Sequence, residues 1–311
     1  MHIASWVNKR ILISGSSGFV GSHLLEYFRT KDAKVVGFSR SPKGSDEHKV
    51  DLTDYDRLLS SVREYSPDAF FHLAGEAIVE LGQKDPYQTF RNNILGTLNV
   101  LEVCRILQIP RIVIASTVHV YGDAPAPYRE DEPARPSRPY ETSKTSTDLI
   151  AQSYADTFNL PVLIPRFVNI YGPGDTNLTR IIPKTICSVL AGEEPTLWGG
   201  RATRDYLYID DALRAYDLLG KISDAQIERN RIFNFATGIS VTAKQLMEMI
   251  ITLTKSNAQI RKVKEGRESE LIRQDVSWLK ARSILGWSPK VSLENGLKKT
   301  VEWYRLHPLP R

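Results

Sequence analysis

The sequence is poor in cysteine and has no long apolar run. Only two cysteines, Cys104 and Cys187, occur among 311 residues, and they lie far apart in the chain. Disulfide-stabilised extracellular domains contain more, so we expect two free thiols in a reducing compartment, the cytoplasm. No apolar stretch approaches the roughly 20 residues of a transmembrane helix, and the first residues lack a cleavable signal pattern. We therefore expect no contact with a membrane.

The sequence also lacks the charge pattern of a nucleic-acid-binding protein. Its net charge is +5, but lysine and arginine are dispersed and interleaved with acidic residues. No basic run and no basic–aromatic platform stands out, so nucleic acid is not an expected partner. An anionic small molecule fits this charge better. We identify no residues as metal ligands.

Strand and helix patterns alternate through the first half of the chain. Apolar strands are predicted at 35–38, 69–73, 111–115 and 161–167, and helices at 58–64, 89–107 and 140–158. This order is typical of a parallel sheet with helices on both faces, the Rossmann-type doubly wound α/β fold.

The pattern becomes irregular after Gly174. We expect residues 1–174 plus 204–237 to form a dinucleotide-binding domain. Residues 175–203 plus 238–311 are expected to form a smaller C-terminal α/β lobe that binds the substrate.

A glycine loop follows the first predicted strand and opens a helix at 19–29. In this interpretation Gly15 makes the turn, Gly18 lets the backbone approach a pyrophosphate, and Gly21 lets helix and strand pack closely. Unpaired N–H groups at the start of the helix would face the phosphates. A glycine triplet alone is a weak signal, but a strand before it and a helix after it favour dinucleotide binding.

Tyr140 and Lys144 stand four residues apart in a predicted helix, so they would share one face. A nearby ammonium favours the ionised form of a phenol, so we expect Lys144 to lower the pKa of Tyr140. A phenolate of this kind can take a proton from a sugar hydroxyl while the carbon loses hydride. The pair therefore predicts redox chemistry.

With these motifs the chain resembles the extended short-chain dehydrogenase/reductase family, the NAD(P)-dependent nucleotide-sugar epimerases and dehydratases. The similarity includes Gly15, Gly18 and Gly21, Asp51, His72, Asn93, Thr117, Tyr140 and Lys144, and the segments 166–174, 204–211 and 285–289. The segment 175–183 looks closest to the CDP-glucose and GDP-mannose 4,6-dehydratase branch. The resemblance covers almost the whole chain and implies an enzyme. It also implies a homodimer, because the helices at 89–107 and 140–158 resemble the family's dimer-forming helices.

The resemblance implies a cofactor site and a substrate site. The expected cofactor contacts are Gly15, Ser17, Gly18, Phe19, Val20, Gly21, Arg40, Asp51, Leu52, Leu73, Ala74, Asn93, Tyr140 and Lys144. The expected contacts to a nucleotide-diphosphate sugar are Asn169, Arg180, Arg204 and Arg267, with Trp198 either beside the base or in the core.

The cofactor is expected to be NADP, with NAD as the alternative. The second strand ends without the acidic residue that would bind the 2′-hydroxyl of NAD. Arg40 stands there instead, where a guanidinium could hold a 2′-phosphate. A plain surface arginine is the rival interpretation of Arg40. Similarly, Asp51 is either a contact to adenine or a helix-capping residue.

Thr117, Tyr140 and Lys144 imply that a 4-keto sugar forms first. The family's dehydratases then use an acid/base pair directly after the threonine, but this chain has Val118 and His119 there. Valine exchanges no proton, whereas a histidine can act as acid, pack or gate. We therefore expect a nucleotide-sugar 4-epimerase. The alternatives are a 4,6-dehydratase using His119, a 4-keto reductase, or a non-enzymatic NADP(H)-sensing protein, which would not need Tyr140 or Lys144.

Overall fold

The computed structural model describes residues 3–122, 124–199, 202–263 and 274–309. The strands are Arg10–Ser14 (β1), Lys34–Ser39 (β2), Glu47–Lys49 (β3), Ala69–His72 (β4), Ile112–Ile114 (β5), Ser116–Thr117 (β6), Val162–Phe167 (β7), Asn169–Tyr171 (β8), Thr196–Trp198 (β9), Thr203–Tyr208 (β10), Ile232–Phe235 (β11), Ser240–Thr242 (β12) and Arg261–Val263 (β13). The α-helices are Phe19–Arg29 (α1), Tyr55–Tyr65 (α2), Val79–Lys84 (α3), Pro86–Phe90 (α4), Gly96–Ile106 (α5), Pro139–Phe158 (α6), Ile181–Leu190 (α7), Ile209–Lys221 (α8), Asp224–Arg229 (α9), Ala243–Thr254 (α10), Leu279–Leu285 (α11) and Leu293–Leu306 (α12).

The largest sheet has the strand order β11-β7-β5-β4-β1-β2-β3, with β6 also paired to β7. All of these pairs are parallel. Successive residues of β1 point to opposite faces of the sheet, and each face carries its own buried cluster. Ile11 and Ile13 join a cluster with α1, whereas Leu12 joins one with α2 and α5. Helices therefore cover both faces, and the predicted doubly wound α/β fold is confirmed.

Two smaller sheets complete the described part of the chain. β10 pairs with β8 in parallel and with β12 in antiparallel orientation. β13 pairs in parallel with β9. Helix α7 packs against α10 and α12 in the same part of the molecule. These elements lie beyond the carboxyl end of β7, where the chain leaves the large sheet.

The predicted helix at 89–107 is interrupted. Between α4 and α5 the backbone forms a π-helical turn over Arg91–Leu95. This wider turn contains Asn93, whose buried side chain is bonded to the backbone of Glu76 and to Ser143. Periodicity cannot predict such a turn, because one extra residue hardly changes the apolar pattern.

Within the residues described above, we find no helix both long and apolar enough to span a bilayer.

Candidate active site

A pocket among the described residues opens at the carboxyl ends of the parallel strands. Its volume is about 490 Å³. Leu73, Thr117 and Asn169 line it just after β4, at the end of β6 and at the start of β8, respectively. Open α/β sheets bind ligands at this edge.

The glycine loop closes one end of this pocket. Gly15 has φ +73°, a left-handed conformation that suits glycine, and its backbone packs against Ala74. A Cβ on Gly21 would come within 2.1 Å of the Gly15 carbonyl oxygen, so only glycine fits there. Gly18 is the N-cap of α1, and no side chain caps this helix. The first-turn N–H groups are thus available for an anion.

The next two residues of α1, Phe19 and Val20, line the pocket. This arrangement suits the pyrophosphate of a dinucleotide, and the contacts of the individual glycines stay a prediction.

The side of the loop near β2 carries both signs of charge, since the Glu47 carboxylate of β3 accepts hydrogen bonds from a serine hydroxyl of the loop and from the Lys43 N–H. Lys43 donates a hydrogen bond from Nζ to the carbonyl oxygen of Ser17, at 2.9 Å. The Ser17 hydroxyl lies 2.6 Å from that of Ser39, at the end of β2. Arg40 follows and is exposed. Hydroxyls, cations and one carboxylate therefore lie around the end of β2.

Asp51 and Leu52 follow the third strand. Asp51 accepts hydrogen bonds from the backbone N–H and the hydroxyl of Thr53, which lower its pKa, as do the charges of Arg40 and Arg91. The Thr53 N–H has the largest effect on this pKa, and burial opposes it. Leu52 is buried, and its carbonyl oxygen accepts from Asn99. Asp51 thus lies beside Arg40, and its carboxylate closes a local turn.

Asn93 holds the loop that follows β4. Its Oδ1 accepts from the Glu76 N–H at 2.6 Å, and its Nδ2 donates to the Ser143 hydroxyl of α6 at 2.8 Å. Glu76 and its neighbours line the pocket. Asn93 therefore connects the pocket wall to the helix that carries Tyr140.

Tyr140, Lys144 and Thr117 meet in the pocket. Lys144 donates from Nζ to the carbonyl oxygen of Ala115 at 2.6 Å. Burial lowers the pKa of Lys144 to about 8, against a smaller opposing effect of Asp148. An ammonium with this pKa can lose its proton near neutral pH.

The expected lowering of the Tyr140 pKa by Lys144 is wrong for this structure. Burial dominates and raises the pKa of Tyr140 to about 12, although the Thr117 hydroxyl and the charge of Arg180 act to lower it. The reason is that the phenol is nearly inaccessible, at 8 % exposure. Sequence spacing does not predict this desolvation.

Val118 and His119 lie in a 3₁₀ turn over Val118–Tyr121 and have different surroundings. Val118 is 1 % exposed and belongs to the apolar core. His119 lines the pocket, and its ring packs edge-on against Tyr140 with centroids 6.0 Å apart. Only His119 of this pair therefore faces the pocket.

The predicted substrate contacts lie in different places. Asn169 and Arg204 line the pocket, and each side chain donates to a backbone carbonyl oxygen, of Asp205 and Thr203 respectively. Arg180 also lines it and forms an ion pair of 2.9 Å with Asp175. The influence of Arg180 on Tyr140 puts this arginine near the reacting centre. Trp198 lines the pocket and is half exposed, whereas Arg267 lies outside the described residues.

Several charged residues of the site are absent from the sequence prediction. Glu76, Arg138 and Lys184 line the pocket, Lys43 contacts the glycine loop, and Glu141 is buried behind His119. None lies in a motif that identifies it. The sequence offers one signal for two of these residues, their position next to Tyr140. Glu141 directly follows Tyr140, and Arg138 lies two residues before Tyr140.

A doubly wound sheet with a glycine loop at a helix N-terminus is typical of a dinucleotide-dependent enzyme, and Thr117, Tyr140 and Lys144 line the pocket beside that loop. Residues 11–236 match the sequence profile described as the NAD dependent epimerase/dehydratase family. This match covers more than half of the chain, so the chain belongs to this family of enzymes.

Curated relatives and solved structures agree with this assignment. The chain is 29% identical to a UDP-glucose 4-epimerase of Mycolicibacterium smegmatis over 95% of this chain and 98% of that protein. It is also 29% identical to a dTDP-glucose 4,6-dehydratase of Neisseria gonorrhoeae, over 95% of each chain.

The Thermotoga maritima UDP-glucose 4-epimerase with UDP-glucose superimposes with a TM-score of 0.89 at 29% identity, covering 96% of this chain and 99% of that one. The Thermus thermophilus UDP-glucose 4-epimerase with NAD gives 0.86 at 30% identity, covering 95% and 99%. Similarity of this degree to both epimerases and dehydratases shows the family and not the reaction.

Proposed function

We propose that the protein is an NAD(P)-dependent 4-epimerase of a nucleotide-diphosphate sugar that acts through a 4-keto intermediate. The observation that carries this proposal is the wall beside Tyr140. Thr117, Tyr140 and Lys144 are all present, but Val118 lies in the core and supplies no proton-transferring group. This set of residues supports oxidation and reduction at one carbon. It lacks one member of the acid/base pair that a dehydratase uses to eliminate water.

Each of the described site residues has its own role in such a reaction. Bound dinucleotide would supply the acceptor and later the donor of hydride. Tyr140 takes the proton of the C4 hydroxyl, and Thr117 hydrogen-bonds the same oxygen. Lys144 binds the nicotinamide ribose and provides positive charge near Tyr140. In the second half Tyr140 returns the proton to the oxygen, so no net proton is gained or lost.

The substrate end of the pocket supports a diphosphate. We propose that Asn169, Arg204 and Arg180 contact the sugar nucleotide, since guanidinium groups bind phosphate oxygens in pairs. Because Arg180 is close to Tyr140, we place it nearer the sugar than Arg204. Arg267 remains a proposed contact from sequence alone.

A 4,6-dehydratase is the second candidate, and the pocket-facing position of His119 favours it. Incubation with UDP-glucose, UDP-glucuronate, UDP-N-acetylglucosamine and dTDP-glucose, followed by mass and NMR analysis, separates the possibilities. The expected result is an unchanged mass with inverted configuration at C4. Loss of water identifies a dehydratase, and reduction of an added 4-keto sugar identifies a reductase. Dinucleotide binding without turnover identifies a sensor.

We further propose that NADP is preferred over NAD. The support is the β2 end, where Ser39 and Arg40 stand in place of an acidic residue and Lys43 lies against the loop. A 2′-phosphate would meet two cations there, and β2 itself offers no carboxylate to a 2′-hydroxyl. The Glu47 carboxylate of β3 lies nearby, but the Ser16 hydroxyl and the Lys43 N–H already donate to it.

Replacing Arg40 with alanine should weaken NADP binding by about 1–3 kcal/mol, because a charge-assisted hydrogen bond is lost. NAD binding should change little. Calorimetric titration of both cofactors measures this, with Arg63→Ala on the exposed surface of α2 as the matched control. Equal affinity of the unmodified protein for NAD and NADP would contradict the assignment.

We propose the two-part division of the chain as a functional one. The large sheet takes its strands from residues 1–174 and from β11, within 204–237. α7, β9, β12, β13 and α10 belong to residues 175–203 and 238–311. Arg180 and Met247 from the second part line the same pocket as Tyr140. In this proposal the first part binds the dinucleotide and the second the sugar nucleotide.

We propose a homodimer formed through α5 and α6. These helices pack against each other and expose large apolar side chains that include Leu98, Ile106, Leu149 and Phe158. A twofold dimer would cover such side chains with the same surface of a second copy.

The dimer predicts a mass of about twice 35.1 kDa by light scattering at micromolar concentration. Leu149→Glu should yield monomers, because it places a charge in the apolar contact. Leu306→Glu is the matched control, since Leu306 is 78 % exposed at the end of α12. A monomeric unmodified protein would refute the dimer.

A further inference from the structure

Two buried polar atoms at the pocket wall face each other. Nδ1 of His119 and Oε1 of Glu141 lie 3.9 Å apart, and neither has a hydrogen-bond partner within the described residues. The distance is slightly too long for a hydrogen bond, and a small rotation of either side chain would close it. Buried polar groups in native proteins almost always find partners. Each atom is therefore the natural partner of the other.

Glu141 is held firmly on its other side. The residue is fully buried in the first turn of α6, and its Oε2 accepts from both the N–H and the hydroxyl of Ser137, each at 3.1 Å. Burial acts to raise the pKa of Glu141, but His119, the Ser137 N–H and the charge of Arg138 outweigh it and lower the pKa. The carboxylate is thus ionised and aimed at the imidazole.

One edge of the His119 imidazole ring is buried in the protein, and the opposite edge faces the pocket. Its Nδ1 is buried against Glu141, while the side chain is 19% exposed and lines the pocket. Since Nε2 lies on the opposite edge of the ring, Nε2 is the atom that meets the pocket. The ring packs edge-on against Tyr140, so His119 lies beside the reacting centre. Tyr140 and Glu141 face the ring from α6, with Arg138 behind Glu141.

We infer that Glu141 is a positioning residue that keeps a proton on Nδ1 of His119 and so presents Nε2 to the sugar as a hydrogen-bond acceptor. A carboxylate only accepts hydrogen bonds, so the neutral imidazole beside it carries its proton on Nδ1. The lone pair of Nε2 then points into the pocket and accepts from a sugar hydroxyl. His119 thereby helps to select the sugar, and the transfers at C4 stay with Tyr140.

The tautomer of His119 tests the pairing without any assay of activity. The full-length protein with ¹⁵N-labelled histidine gives signals from six residues, and His119→Gln identifies the relevant one. We expect a protonated Nδ1 and an unprotonated Nε2. In Glu141→Gln the amide can donate to Nδ1, so the proton should move to Nε2, whereas Glu302→Gln on the exposed face of α12 should change nothing. A protonated Nε2 in the unmodified protein, or an unchanged tautomer in Glu141→Gln, overturns the inference.

The role in sugar selection rests on the proposed function and has its own readout. With whichever of the four sugar nucleotides is turned over, Glu141→Gln should raise KM about 5–10-fold and leave kcat within about twofold, because one ground-state hydrogen bond is lost. An equal fall in kcat and kcat/KM would overturn this role, as would an unchanged KM. If no sugar nucleotide is turned over, the proposed function fails, while the tautomer measurement still decides the pairing.

Discussion

Replacing Tyr140 with phenylalanine should lower the turnover number by about 10²–10⁴-fold, the usual contribution of a positioned proton-transfer group. The change removes a single hydroxyl and little volume from a buried ring, so folding should be unaffected. Dinucleotide affinity should also be nearly unchanged, since Tyr140 acts mainly on the sugar oxygen. Steady-state kinetics and calorimetric titration measure the two quantities on the same preparation.

The matched control for this variant is Tyr87→Phe, because Tyr87 is 75 % exposed and does not line the pocket. It should have full activity. Because burial raises the pKa of Tyr140 to about 12, the rate should fall as pH decreases and less phenolate is present. Wild-type turnover in Tyr140→Phe would remove the phenolate from the mechanism.

Replacing Lys144 with methionine should make the protein less active and more stable. Activity and dinucleotide affinity should both fall. In the proposed mechanism Lys144 binds the nicotinamide ribose and places a positive charge near Tyr140. Stability should rise by about 1–2 kcal/mol at pH 7, since a lysine whose pKa falls from 10.5 to about 8 opposes folding while it is charged. The lost hydrogen bond to Ala115 offsets part of this gain.

The sign of the pH dependence follows from proton binding. Between pH 8 and 10.5 the unfolded chain holds the Lys144 proton more tightly than the folded chain, so the free energy of unfolding rises with pH there. Lys144→Met should lack this rise, and Lys298→Met on the exposed surface of α12 should keep it. Denaturant unfolding at several pH values measures the difference. A Lys144→Met protein that is less stable at pH 7 would show that the buried ammonium stabilises the fold.

The sequence predicts those parts of the site that are local. Gly15, Gly18 and Gly21 act within one strand–turn–helix unit, and Tyr140 and Lys144 lie on successive turns of one helix. Their spacing alone specifies which backbone or side-chain groups come together. The fold follows in the same way, because the alternation of strands and helices is a property of consecutive residues.

The parts that the sequence does not predict depend on tertiary packing. Glu141 matters because the turn over Val118–Tyr121 brings His119 to it, and no spacing rule relates the two. The pKa of Tyr140 is dominated by burial, which only the folded chain shows. Lys43 contacts the glycine loop from a separate loop. Arg180 forms an ion pair with Asp175 near the reacting centre.

In the proposed reaction, hydride leaves and returns at C4 without proton exchange at another carbon. Turnover of a sugar nucleotide by the unmodified protein in deuterated water tests this most directly, with the product analysed by NMR and mass spectrometry. The expected product is an epimer inverted at C4 that carries no solvent deuterium on carbon. Deuterium at C5, or a product lighter by one water molecule, would contradict this reaction.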